Sequence, residues 1–187
     1  MLGVDYTILV SRFDEATLSH YRDGREYVQR AAESKAEEVA SRCAGWILGV
    51  DTDVVAPNGD ILGKPTDVEH AKSMLRQLSG KTHTVFSGIA LLTVVTPGKI
   101  TGRAIEVVET KVTMAPLPEE AIDAYVATGE PLDKAGGYGI QGGALPFVVR
   151  VEGDPSNVIG LPLWPVAKML SAAGVPLWRN INVNLTS

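Results

Sequence analysis

Apolar and polar residues follow one another along the chain in patterns that predict both strands and helices. The run from Tyr6 to Ser11 is rich in β-branched and aromatic residues and predicts a strand. From Glu26 to Ser41, apolar residues recur at helical spacing with charged residues between them, which predicts an amphipathic helix. The short apolar run at 46–50 predicts a buried strand that ends at Asp51.

The middle of the chain contains turn and cap signals that divide it into further elements. The tetrapeptide 57–60, Pro-Asn-Gly-Asp, predicts a turn between two short extended arms. Asp67 is placed to cap a helix that runs to Leu78. From 82 to 114, two long β-rich runs on either side of Pro97-Gly98 predict a pair of antiparallel strands.

The last third alternates helical and extended patterns around a glycine-rich loop. A helix is expected from 117 to about 128, ended by Gly129, then a loop at 130–143, a strand at 146–151 and a helix at 165–173. The order of elements predicts an α/β fold with a mixed sheet and one long hairpin. The 187 residues are of the length of one ordinary domain, so one domain over 1–187 is expected.

Composition and charge narrow the classes of partner. A net charge of −5 with no basic run argues against a nucleic-acid groove. No apolar run has the length of a membrane span, and the start lacks the pattern of a signal peptide. Cys43 is the only cysteine, which excludes an intramolecular disulfide and favours a cytoplasmic setting. The histidines have no paired metal-binding spacing, and the sequence has neither an HExxH motif nor a GxSxG elbow.

Acids and lysines near the predicted strand ends are the candidates for chemistry. Asp51, at the end of a buried strand, would lie where open α/β sheets bind ligands, and would serve as a Mg²⁺ ligand or a general base. Glu15 would reach the same site from the loop after the first strand. Lys35 and Lys64 suit phosphate oxygens. For all four residues, spacing alone leaves a solvated surface or turn role open.

The loop at 130–143 combines five glycines with polar side chains. The glycines allow close approach of a ligand to the backbone and positive φ angles. Lys134 offers a charge, Tyr138 a stacking face, and Gln141 an amide that suits a base edge. The loop lacks the spacing of a GxGxxG or P-loop motif, so a glycine-rich surface turn remains the alternative.

Several segments, taken in order, resemble the Maf family of septum-formation-inhibitor-type nucleotide pyrophosphatases. The segments are SRFDE, SKAEEVA, VDTDVVAPNGDILGKPTDVEHAKSMLRQLSGKTHTVFSGIALL, VETKVTMAPLPEEAIDAYVATGEPLDKAGGYGIQG and SNVIGLPL. They cover nearly all of residues 5–170. Within the family, DKAGGYGIQG is similar to the branch that acts on dTTP and UTP.

The resemblance implies an elongated Maf/ITPase-like α/β fold, a mixed sheet flanked by helices with a substrate cleft between two lobes. It implies hydrolysis of dTTP or UTP, and of modified pyrimidine nucleotides, to the monophosphate and pyrophosphate, a house-cleaning activity in the cytoplasm. The required cofactor would be Mg²⁺ or Mn²⁺, and a homodimer is expected.

The resemblance also implies residue roles. Asp51 matches the catalytic acid and, with Glu15, the metal ligands. The substrate-binding and specificity positions are Thr52, Gln141, Lys35, Lys64 and Lys134.

Two departures from the family leave other functions open. Asp53 replaces an apolar residue, and the family's first strand and Ser-x-Ser-Pro-Arg-Arg phosphate loop have no counterpart in the sequence. The main alternative is therefore a catalytically impaired, nucleotide-binding regulator of cell division or septum formation. A pyrophosphatase of 7-methyl-GTP is the third possibility.

Overall fold

A computed structural model describes residues 2–178 and contains a five-stranded sheet with helices on both faces. The strand order is β2-β1-β3-β4-β5, which confirms the expected α/β class. The strands are β1 (Gly45–Val55), β2 (Ile61–Leu62), β3 (Thr82–Thr96), β4 (Lys99–Met114) and β5 (Val148–Glu152). The α-helices are α1 (Gly24–Ala40), α2 (Val68–Leu78), α3 (Glu119–Val126), α4 (Pro155–Ile159) and α5 (Leu163–Ala172). Short 3₁₀ turns occupy Glu15–Leu18, Glu130–Asp133, Ala135–Gly137 and Leu145–Phe147.

All the strand pairs among the described residues are antiparallel, so the expectation of a mixed sheet was wrong. The turn at 56–60 reverses the chain between β1 and β2, and α2 then returns it to the far side of β1. Strand β3 consequently runs antiparallel to β1 although a helix precedes it. The long hairpin of β3 and β4 was predicted correctly.

Helix α1 lies very close to one face of the sheet because two facing positions are glycine. A Cβ atom on Gly88 would lie 2.1 Å from the carbonyl oxygen of Val28, and one on Gly49 would lie 2.4 Å from that of Ala32. The inner side of α1 is built from small or branched residues that suit this approach. The close packing brings Lys35, on α1, against strand β1.

The opposite face of the sheet carries the larger core. Helices α2 and α3 cover one end of it, and α5 covers the other. Asp67 caps α2 as predicted, since its side chain accepts a hydrogen bond from the backbone N–H of His70 at 2.8 Å. None of the helices in the described part of the chain is long and apolar enough to cross a membrane.

The strand predicted at 6–11 was wrong. Residues 2–14 have no regular secondary structure, and Tyr6 and Val10 are each 82% exposed. A β-rich run forms a strand only when it finds a partner, and none of the described strands pairs with this one. Two hydrogen bonds hold the segment instead: Glu38, on α1, accepts from the backbone N–H of Arg12 at 3.0 Å, and Arg42, just after α1, donates to the carbonyl oxygen of Val10 at 2.6 Å.

One edge of strand β1 is unpaired over most of its length within the described part of the chain. Strand β2 pairs with it only at Val54 and Val55, so the edge from Gly45 to Asp53 has no strand partner among residues 2–178. A cleft opens beside this edge.

Candidate active site

All the site residues predicted from the sequence line one cleft of about 720 Å³. Cavities of this size hold small-molecule ligands and cofactors. The predicted residues in its wall are Glu15, Lys35, Asp51, Thr52, Lys64, Lys134 and Gln141. These side chains come from seven separate positions along 127 residues of chain, and the fold brings them to one place.

An acid–lysine cluster forms one wall of the cleft. The ammonium nitrogen of Lys35 lies 2.6 Å from Asp51 Oδ1 and 2.8 Å from Glu15 Oε1. Helix α1 supplies the lysine, β1 the aspartate, and the 3₁₀ turn Glu15–Leu18 the glutamate. An ammonium group has three N–H donors, so one remains for a phosphate oxygen.

The pKa values of this cluster reflect opposing effects of burial and charge. Burial raises the pKa of Asp51, and the nearby Lys35 ammonium opposes that shift without cancelling it. Burial alone would lower the pKa of Lys35, but Asp51 and Glu15 outweigh it, so the pKa of the lysine is raised. A carboxylate with a raised pKa is a stronger proton acceptor, which suits Asp51 to general base catalysis.

Asp53 adds a second buried acid on the same side of β1. Its Oδ1 accepts a hydrogen bond from the backbone N–H of Val54 at 2.9 Å. Burial raises the pKa of Asp53 to about 7, and the charges of Asp51 and Glu15 add to the rise. Its carboxyl group lines the cleft, and with a pKa of about 7 it is only partly ionised near neutral pH.

The wall of the cleft contains more carboxylates than lysines. The acids are Glu15, Asp51, Asp53, Glu130 and Asp133, and the bases are Lys35, Lys64 and Lys134. Three lysines, of which two are paired with these acids, do not neutralise a triphosphate by themselves. A polyanionic ligand would therefore need a cation to accompany it.

The carboxylate set is compatible with a divalent metal that is shared with a phosphate ligand. No group of three or more metal-binding His, Cys, Asp or Glu side chains occurs among residues 2–178. Magnesium is commonly held by one or two carboxylates together with substrate phosphates and water. Glu15 and Asp51, which meet at Lys35, provide that kind of incomplete site.

Thr52 points to the other face of β1 and still lines the cleft, because the cleft passes round the strand's free edge. Its hydroxyl lies 2.6 Å from Ser87 Oγ and donates to the carbonyl oxygen of Gly160 at 3.3 Å. Gln141 is exposed on the turn Gly139–Gly143, which also lines the cleft. Thr52 and Gln141 are thus available to one ligand.

Three expectations about local structure need correction. Asp51 lies in the middle of β1 and not at its end, because the strand continues to Val55. Tyr138 is only 5% exposed, and its hydroxyl lies 2.7 Å from His83 Nε2, so its ring belongs to the core and offers no stacking face. The glycines at 139, 142 and 143 do not adopt positive φ, unlike those at 136 and 137.

Sequence reasoning missed Tyr27, Ser87 and Glu130. Tyr27 lines the cleft from α1, and its spacing of eight residues from Lys35 is a helical signal that would have found it. The pairing of Ser87 with Thr52 depends on the register of β1 and β3, which the sequence does not reveal. Glu130 gives no local signal, because its partners lie 5 to 13 residues away.

Comparison with known proteins identifies the family of this chain. The family model for Maf-like proteins matches residues 1–173. Proteins named dTTP/UTP pyrophosphatase from Clostridium novyi, Myxococcus xanthus and Moorella thermoacetica are 45%, 44% and 44% identical to this chain. The alignments cover 92%, 95% and 96% of this chain and 89%, 87% and 90% of the relatives. The chain therefore belongs to the family of Maf-like proteins.

Proposed function

We propose that this protein is a nucleoside triphosphate pyrophosphatase that hydrolyses dTTP and UTP to the monophosphate and pyrophosphate. The observation that carries the assignment is the Lys35–Asp51–Glu15 cluster, which shares one cleft with Thr52 and Gln141. Relatives with this name match the chain over about nine tenths of its length. Such an activity would remove surplus or modified pyrimidine nucleotides from the nucleotide pool.

In the proposed reaction, water attacks the α-phosphorus and Asp51 accepts its proton. A bond forms between the water oxygen and the α-phosphorus, the bond from that phosphorus to the bridging oxygen breaks, and pyrophosphate leaves with the electron pair. Lys35, Lys64 and Lys134 neutralise phosphate oxygens as charge moves onto the leaving group. Lys64 is close enough to Asp51 for its charge to oppose the rise in that residue's pKa.

Glu15 and Asp51 would hold Mg²⁺ or Mn²⁺ together with phosphate oxygens of the substrate. The cation would supply the positive charge that the cleft, with its excess of carboxylates, lacks. Thr52 and Gln141 would read the pyrimidine base, since hydroxyl and amide groups pair with the donors and acceptors of a base edge.

Pyrophosphate release by the full chain tests the assignment. We expect release from dTTP and UTP in the presence of Mn²⁺, and much less from CTP and 7-methyl-GTP. Asp51→Asn should lower kcat by about 10³-fold, since it removes the proton acceptor. The matched control is Asp60→Asn on the exposed turn at 56–60, which should keep full turnover. Undiminished turnover in Asp51→Asn would refute the assigned role.

The alternative, a catalytically impaired regulator of cell division, is not favoured, because the acid–lysine cluster is assembled and the relatives are named as pyrophosphatases. The homodimer and the cytoplasmic setting stay predictions. Light scattering of the purified chain and fractionation of cells would test them.

A further inference from the structure

The turn Gly139–Gly143, which carries Gln141, is tied at both ends to one pair of side chains. The backbone N–H of Gly143 donates to Glu130 Oε2 at 2.9 Å. The backbone N–H of Gly139 donates to the hydroxyl oxygen of Tyr125 at 3.1 Å. The Tyr125 hydroxyl in turn donates to Glu130 Oε1 at 2.9 Å. Gln141 thus lies two residues from each of two connected anchors.

The glycine at position 142 is required for this arrangement. A Cβ atom there would lie 2.1 Å from Glu130 Oε1 and 2.5 Å from the carboxyl carbon. The group that lies against the backbone of Gly142 is therefore the carboxylate of Glu130. Any side chain at 142 would displace Glu130 from the turn.

The two anchoring side chains are themselves fixed. Tyr125, on α3, is 4% exposed, and its ring packs edge-on against Phe147 with the ring centroids 5.4 Å apart. The backbone N–H of Glu130 donates to Thr128 Oγ1 at 3.2 Å, and that hydroxyl donates to the carbonyl oxygen of Tyr125 at 2.6 Å. The supports of the turn are therefore fixed by α3 and by the segment that directly follows it.

We propose that Glu130 and Tyr125 are positioning residues that orient Gln141 for selection of the pyrimidine base, an inference that rests on the proposed function. Gln141 is exposed, and apart from these anchors the turn itself is closed by a hydrogen bond from the backbone N–H of Gly142 to the carbonyl oxygen of Gly139 at 3.0 Å. A polar group that is already ordered loses less conformational entropy when it binds, so its contacts discriminate better. Glu130 and Tyr125 would act on selectivity through Gln141.

Three substitutions test this role through the ratio of kcat/KM for dTTP to kcat/KM for CTP. Tyr125→Phe removes the acceptor for Gly139, and Glu130→Gln leaves one acceptor oxygen where two are used. Gln141→Ala removes the reading group itself. We expect each to lower the ratio about tenfold, the worth of one well-placed hydrogen bond to a base. In the double variant Tyr125→Phe/Gln141→Ala the loss should be no larger than in Gln141→Ala alone.

Tyr138→Phe is the matched control for loss of a buried tyrosine hydroxyl. Its hydroxyl contacts His83 in the core and makes no hydrogen bond to the turn. We expect the substitution to lower thermal stability while it leaves the dTTP-to-CTP ratio unchanged. An equal fall of the ratio in Tyr138→Phe and Tyr125→Phe would overturn the inference, because general destabilisation would then explain both.

Ribose 5′-triphosphate, which lacks a base, separates base selection from catalysis. Turnover of this probe should be the same in wild type and Tyr125→Phe, a substitution that leaves the charges of the cleft wall unchanged. An equal loss on dTTP and on the probe would overturn the inference, since it would mean that the anchors support the chemistry or the fold.

Amide hydrogen exchange at Gly139 and Gly143 tests the anchoring without any turnover. We expect slow exchange in wild type, and exchange at least tenfold faster at Gly139 in Tyr125→Phe and at Gly143 in Glu130→Gln. Exchange in wild type at the rate of an unprotected glycine would overturn the inference. If the wild-type chain releases no pyrophosphate, the proposed function fails, and the exchange rates still decide whether the turn is anchored.

Discussion

Replacement of Gly88 by alanine would separate helix α1 from the sheet, and its effect can be worked out from the structure. The new Cβ would lie 2.1 Å from the carbonyl oxygen of Val28, 2.4 Å from its carbonyl carbon and 2.8 Å from the nitrogen of Gln29. All three atoms belong to the backbone of α1, so no side chain can rotate away. The helix must retreat by about 1.3 Å before the contact reaches ordinary van der Waals distance.

The expected cost in stability is about 3 kcal/mol, the upper end of the range for overpacked cores. For a protein of this size, that corresponds to a fall in Tm of about 10 °C. Urea unfolding followed by circular dichroism would measure the change in the free energy of unfolding. The matched control is Gly102→Ala on β4, where the Cβ would meet only the Thr93 side chain, at 3.1 Å from its oxygen. That variant should lose no more than about 0.5 kcal/mol.

The same substitution should damage the active site, because Gly88 lies directly opposite Asp51 in the sheet and Lys35 belongs to the displaced helix. A shift of about 1 Å in a catalytic group can lower the rate about 100-fold. We expect a fall of this size in kcat/KM for dTTP, measured at a temperature where the variant is still folded. The reasoning is refuted if Gly88→Ala matches Gly102→Ala in both stability and turnover.

Three further perturbations probe the core and the site. Burial lowers the pKa of His83 to about 4, so between pH 6.5 and 4 only the unfolded chain gains the proton of this histidine. Urea titrations should therefore show that His83 contributes about 3 kcal/mol to the loss of unfolding free energy as pH falls through this range. In His83→Gln the total loss should be smaller by that amount. Lys35→Met removes the ammonium group that opposes the rise in the pKa of Asp51, so the fall of kcat/KM on the acid side of its pH profile should begin at higher pH. An acid side of the profile that does not shift would exclude Asp51 as the base. A chelator should abolish pyrophosphate release, and added Mn²⁺ should restore it; activity that persists in the chelator would contradict the metal requirement.

Elements with long periodic patterns could be predicted from the sequence. Helix α1 and the β3–β4 hairpin each extend over 15 residues or more and carry one consistent pattern. The segment 6–11 has an equally clear β pattern, but a strand also needs a neighbour in the sheet, which a local pattern does not provide. The antiparallel pairing of β3 with β1 depends on the turn at 56–60, which reverses the chain before α2. A local sequence pattern does not reveal how such a turn changes the direction of a later strand.

The candidate site shows the same difference between features that a sequence pattern predicts and features that depend on the packing of distant segments. Resemblance to the Maf family selected the residues of the cleft, because their segments occur in the family's order. The contact between Lys35 and Asp51 depends on how closely α1 packs against two glycines, and the support of Gln141 by Glu130 depends on a carboxylate beneath a turn. These are relations between side chains distant in sequence, and they follow only from the three-dimensional packing.

The free edge of β1 allows adjacent residues of one strand to serve two purposes. Asp51 and Thr52 point to opposite faces of the sheet, yet both reach the cleft that passes round the edge. The proposed residues for chemistry and for recognition are therefore neighbours in sequence that contact different parts of the structure, Lys35 of α1 on one side and Gly160, which follows α4, on the other. With the proposed roles, we expect a substitution at position 52 to change which nucleotide is accepted while Asp51 keeps its surroundings, so that new substrate preferences arise by single steps.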